Sequence, residues 1–146
     1  MNPLLIFIWT SLAMIAMSFW EAYSEGRKSW GKGKIGWKIK LGKKFVLPAY
    51  HFYLFGIMLP LFFSLPLIIY GWDIKLFGIL FSAYFLGTVI EDFFWYIVNP
   101  KVKFREFFTD FSDYYPWLKI KDKKIIPLFY ISSILIAGLS WYFLWR

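Results

Sequence analysis

Five side chains able to bind a cation or move a proton fall in apolar surroundings: Glu21, Glu25, His51, Glu91 and Asp92. An ionised carboxylate at membrane depth is costly, so such residues mark sites by default. Glu21 and Glu25 are four apart and share one helical face. Glu91, Trp95 and Asn99 repeat that spacing. Glu91 and Asp92 are adjacent and point about 100° apart on a helix, so one can face the bundle centre while the other faces a neighbouring helix. Carboxylates with an imidazole suit Zn, Mn or Fe, and helical bundles house such centres. The expected ligands of a divalent transition metal are therefore Glu21, Glu25, His51 and Glu91. Glu91 and Asp92 are the expected catalytic carboxylates, with Trp95 and Asn99 supporting them. The set contains neither an HExxH nor an ExxH pair.

These residues need elements to hold them, and the composition says which. Of 146 residues, 60% are hydrophobic and only 18% charged, where a soluble domain has about a quarter charged. The chain reads as one all-α integral membrane domain, 1–146, with four transmembrane helices in a bundle. The apolar spans run over 3–22, 45–70, 74–98 and 125–145, each near or above the roughly 20 residues that cross a bilayer. The N-terminal span lacks a positive leading region and is expected to be retained, not cleaved as a signal peptide. With no cysteine, disulfides, thiolate metal sites and a cysteine nucleophile are excluded. A single histidine excludes bis-His haem within one chain.

Net charge is +8, and fifteen of the seventeen basic residues lie in two loops, 24–44 and 100–124. In a four-span chain those loops share a side. The positive-inside rule makes it the cytoplasm and puts both termini on the non-cytoplasmic side. The basic loops favour anionic membrane lipids over nucleic acid as partners, with Lys34, Lys38, Lys40, Lys43, Lys44 and Arg105 as headgroup-binding candidates. A homo-oligomer or another membrane protein is the further expected partner.

Loop 24–44 alternates: Ile35, Trp37, Ile39 and Leu41 against Lys34, Lys38 and Lys40, which predicts an extended or hairpin-like segment on the membrane surface. In loop 100–124, Phe104, Phe107, Phe108, Phe111 and Tyr115 follow helical spacing, which predicts a cytoplasmic interfacial amphipathic helix between the third and fourth spans, ended near Pro116. The alternative is an aromatic-rich loop folded onto the bundle. Asp110 and Asp113 are read as solvating that helix. Pro60, inside the second span, predicts a kink that frees the Gly56 carbonyl. The tryptophans are read as an interfacial belt, and no internal repeat is read from the chain.

By depth, Glu21, Glu25, His51, Glu91, Asp92 and Asn99 all fall in the cytoplasmic half of the bundle, and Glu91 is about 12 Å from that end of its span. Three functions compete. The first is a metal-assisted enzyme acting on a lipid or lipid-phosphate. The second is an oligomeric proton or cation channel or carrier. The third is a small structural or assembly subunit, with its acids paired to a basic residue such as Lys43 or Arg105.

Overall fold

The computed structural model describes residues 2–28, 35–41 and 45–146. Four helices are long and apolar enough to cross a membrane: α1 (Pro3–Glu25), α2 (Ala49–Tyr70), α3 (Ile74–Val98) and α4 (Leu128–Trp145). The chain is 72% helical, and these lengths suggest a multi-pass membrane protein. α1 begins where the Asn2 side chain accepts the Leu4 N–H at 3.1 Å, with Pro3 as the first helical residue. It ends at Gly26, whose φ of +58° turns the chain away. α3 begins where Asp73 accepts the Leu76 N–H at 2.7 Å and stops at the Asn99–Pro100 pair.

α3 is the central helix, with α1 and α4 packed along it. Small residues set those distances. A Cβ on Gly87 would come within 2.9 Å of Met14 Cγ and 3.1 Å of Thr10 Cγ2 on α1. Gly78 makes the matching close approach to Leu144 and Trp145 on α4. Hydroxyls close the contacts: Ser82 Oγ donates to the Ala137 carbonyl at 3.1 Å, and Ser140 Oγ to the Gly78 carbonyl at 2.9 Å. Close packing and such bonds hold helices together in lipid, where apolar burial between helices drives little.

α2 is not uniform. Residues Phe52–Met58 wind as a π-helix, and the Leu59 N–H reaches back to Leu54. In that winding the carbonyl that Pro60 fails to meet is that of Phe55, not the expected Gly56. The Tyr84 hydroxyl of α3 donates to the Phe55 carbonyl and so fills the gap.

Each basic loop leads into a β-hairpin that ends where the next long helix begins. β1 (Lys38–Leu41) pairs antiparallel with β2 (Phe45–Pro48), as the alternation in 35–41 predicted. β3 (Trp117–Ile120) pairs with β4 (Lys123–Pro127), with an irregularity at Leu118/Lys119. The expected spans are corrected accordingly: the second starts at Ala49 instead of 45, and the fourth at Leu128 instead of 125. An apolar strand feeding an apolar helix reads as one run, because periodicity cannot separate short pieces of either kind.

The expected interfacial helix is also corrected. Two short 3₁₀ turns, Phe104–Phe108 and Asp110–Ser112, stand there, broken at the extended Thr109. Thr109 and Ser112 divert backbone groups from a helix: Thr109 Oγ1 accepts from Phe111 N–H at 3.4 Å, and Ser112 Oγ donates to the Phe107 carbonyl at 2.7 Å. The segment folds inward, burying Phe107 and Tyr115 with Trp95, Tyr96, Trp117 and Tyr130 in one aromatic core. Trp95 and Trp117 are thus core residues and not part of a belt, while Trp20, Trp72 and Trp141 are exposed.

The element order helix–hairpin–helix occurs twice, an internal repeat not read from the sequence. The segments "WKIKLGKKFVLP" (37–48) and "WLKIKDKKIIP" (117–127) carry the hairpins. Both end in a fully buried proline, Pro48 or Pro127. The next N–H closes back at 3.0 Å in each case, from Ala49 to the Trp37 carbonyl and from Leu128 to the Pro116 carbonyl.

Gly87→Leu drives a branched side chain into Met14 and Thr10. We expect about 1–3 kcal/mol of destabilisation in denaturant unfolding of the detergent-solubilised protein, with Gly71→Ala, in open space but at positive φ, costing less.

Candidate functional site

The last two turns of α1 carry Glu21 and Glu25, both buried. The first turn of α2 carries His51, buried and stacked on Phe55 with ring centroids 5.4 Å apart. Pro48 ends the hairpin just before it and so delivers His51 to the carboxylates of α1. His51 Nε2 lies 3.6 Å from Glu21 Oε1, and the Tyr50 hydroxyl donates to Glu25 Oε1. One potential ligand atom from each of Glu21, Glu25 and His51 lies within 4.8 Å of the others.

α3 supplies the rest. Ser18 of α1, fully buried, donates to the Glu91 carbonyl at 2.7 Å and so fixes Glu91 opposite Glu21. The Glu91 carboxyl stands within hydrogen-bonding reach of the Glu21 carboxyl, outside the tight three-residue group. Its Oε1 is buried with no hydrogen-bond partner, and the same holds for Trp95 Nε1 one turn on. Asn99, a further turn away, donates from Nδ2 to the Gly26 carbonyl at 2.7 Å and accepts the Lys101 N–H at 2.8 Å. The helix ends are thereby tied together. Glu91, Trp95 and Asn99 do share one face, and all three are 4% exposed.

Asp92 points elsewhere, as the 100° step requires. Its Oδ2 accepts from the Tyr130 hydroxyl at 2.7 Å and from the Tyr115 hydroxyl at 3.5 Å. Burial, with the Asp92 charge adding to it, pushes the Tyr115 hydroxyl well up, so Tyr115 stays a protonated donor. A cavity of about 490 Å³ connects the two groups. Glu21, Glu25, His51, Glu91, Asp92 and Trp95 line it, with apolar walls from Leu47, Phe55 and Phe129. Four carboxylates around one low-dielectric space need positive counter-charge, as protons, a metal ion or a cationic group.

Of the expected headgroup-binding residues, Lys38, Lys40 and Arg105 are exposed, and none of them lines the cavity. Lys34, Lys43 and Lys44 lie outside the described residues. Asp113 pairs with Lys124 at 2.7 Å, and neither Asp110 nor Asp113 lines the cavity. Sequence reasoning missed Tyr50, Tyr115 and Tyr130. The available signal for two of them was the buried proline ending each hairpin, followed within three residues by a tyrosine. Comparison with known protein families, characterised proteins and solved structures finds no match.

Outside the spans, one exposed ion pair braces the site. Arg27, just beyond α1, bonds both oxygens of Glu106 at 3.2 and 2.5 Å and reaches the Lys101 carbonyl at 3.0 Å. The Arg27 guanidinium holds the Glu106 carboxyl below its ordinary range, helped by the Lys103 N–H. With the folded value depressed, the contribution is complete above the ordinary Glu pKa of about 4.3 and is lost as pH falls through the folded value. In Arg27→Gln we expect the Glu106 resonance in a carboxyl ¹³C NMR titration to shift its midpoint upward. The stability difference from wild type should be largest above about pH 6 and fade in acid.

Proposed function

We propose that this chain is a membrane-embedded, metal-dependent enzyme acting on the polar end of a lipid. The observation that carries the reading is the convergence of Glu21, Glu25 and His51 to within 4.8 Å at the wall of a 490 Å³ cavity. Glu91, with one buried oxygen unpartnered beside Glu21, is the fourth ligand. Oxygen donors with one imidazole suit Mn, Fe or Zn. A metal there would activate water or polarise a phosphate oxygen, and Glu91 and Asp92 would place the reacting group. The apolar walls take the start of the lipid chain.

The charge asymmetry of the loops supports a cytoplasmic position for the hairpins and the cavity, with both termini on the opposite side. Lys38, Lys40 and Arg105 are then free to meet anionic headgroups at that surface. A channel would need a polar path through the other half of the bundle. The buried residues of α3 there are apolar or small, from Leu76 to Gly87. That favours an enzyme or binding protein over a carrier.

The first test is elemental analysis of detergent-purified protein after incubation with Mn, Fe and Zn. We expect about one metal per chain, lost or bound at least about tenfold more weakly in His51→Ala and Glu91→Gln, with unchanged circular dichroism. No metal in wild type overturns the enzyme reading and leaves the assembly subunit. Orientation is checked by cysteine labelling, because the chain has no cysteine of its own. A membrane-impermeant maleimide should label Lys75→Cys in intact cells and Lys121→Cys only after lysis.

A further inference from the structure

Asp92 lines the same cavity as the proposed metal ligands, yet the metal reading gives it no partner of its own. Its contacts are the two hydroxyls on Oδ2. Among the described residues no lysine, arginine or histidine pairs with it. Tyr130 and Tyr115 hold the carboxylate in place while Asp92 stays only partly buried against the cavity.

Its surroundings are aromatic, with rings that meet edge to face. Tyr114 and Tyr115 meet edge-on with centroids 4.5 Å apart and an interplanar angle of 77°. Tyr115 and Phe129 meet at 5.3 Å and 65°. Tyr114, Tyr115, Phe129 and Trp95 all line the cavity beside Asp92. A carboxylate in a cavity lined by aromatic rings suits an ammonium group: the ring quadrupoles and the carboxylate both favour a cation, and the rings replace its water.

The geometry points to Asp92, Tyr115 and Phe129 as the recognition site for the ammonium head of an amphiphile. This rests on the reading of the cavity as a lipid site and narrows the substrate class. Glu91 and Asp92 are neighbours on α3, so the metal end and the ammonium end of the cavity adjoin. A zwitterionic headgroup fits both at once, its phosphate oxygen toward Glu21, Glu25 and His51 and its ammonium toward Asp92. A hydroxyl head could donate a hydrogen bond to Asp92 but brings no positive charge to it, and an anionic head would meet a carboxylate.

The experiment is isothermal titration calorimetry of the purified full-length protein in a neutral maltoside detergent. The probes are hexyltrimethylammonium, hexanol and hexyl phosphate, short enough to stay monomeric. Each is titrated with manganese present and again after chelation. We expect saturable binding of the ammonium probe under both conditions, and at least about tenfold weaker binding of it by Asp92→Asn, which keeps the shape and the tyrosine bonds but removes the charge. Phe129→Leu, which removes one ring wall, should weaken it several-fold and serves if Asp92→Asn does not fold. Hexanol binding as tightly as the ammonium probe, hexyl phosphate binding to the metal-free protein, or unchanged affinity in both variants would overturn the assignment. Failure of the metal reading looks different: no manganese uptake, with ammonium binding intact after chelation.

Discussion

The hydrogen bond from Ser18 Oγ to the Glu91 carbonyl is the constraint on which the site depends. Two helices in a bilayer gain little from burying apolar surface against each other, because lipid is as apolar as they are. In the multi-pass membrane protein that the span lengths suggest, α1 and α3 therefore need a specific attachment. Gly87 lets the backbones approach, Ser18 bonds across the gap near the level of the carboxylates, and Asn99 ties the Gly26 carbonyl at the end of α1 to the end of α3. With those points fixed, Glu21 and Glu25 have no choice but to face Glu91. Charged carboxylates repel one another, so these helix–helix contacts work against that repulsion.

Much of the frame was legible because a membrane leaves few options. A run of about 20 apolar residues can span only as a helix, so the four spans and their polar ends follow from composition. The shared face of Glu91, Trp95 and Asn99 was legible too, since spacing by four is geometry and not preference. The misplaced boundaries have one cause. In "FVLP" and in "KKIIP" a short apolar strand runs straight into an apolar helix, and hydropathy does not change at the join. The stretch 104–115 failed differently. Its aromatic spacing is helical, but Thr109 and Ser112 give the backbone other partners, and the aromatic core beneath rewards folding inward.

The tyrosines were illegible for a third reason. Ten tyrosines are scattered along the chain, and apart from the prolines shortly before Tyr50 and Tyr130 nothing local distinguishes one that meets an acid from one that does not. Only the fold selects Tyr50, Tyr115 and Tyr130. Each hydroxyl donates to a carboxylate and so offsets part of the cost of holding that charge in a low-dielectric space.

The helix–hairpin–helix order recurs, but the two copies carry different residues at the two ends of the cavity. In the first half an acid, Glu25, takes the hydroxyl of Tyr50, two residues past the hairpin proline. In the second half Asp92 takes that of Tyr130, three residues past its proline. The residue after each tyrosine is His51 in one half and Ile131 in the other. The residue four before each acid is Glu21 in one and Thr88 in the other, and Thr88 spends its hydroxyl on the Phe85 carbonyl at 2.8 Å. One unit thus keeps a second carboxylate and an imidazole around its acid–tyrosine pair, and the other keeps the pair alone among aromatic rings. The same helix–hairpin–helix plan yields a donor set able to hold a metal and, across one cavity, a single carboxylate in a hydroxyl and aromatic shell. On the proposed reading that division lets one small bundle grip both charges of a zwitterionic headgroup.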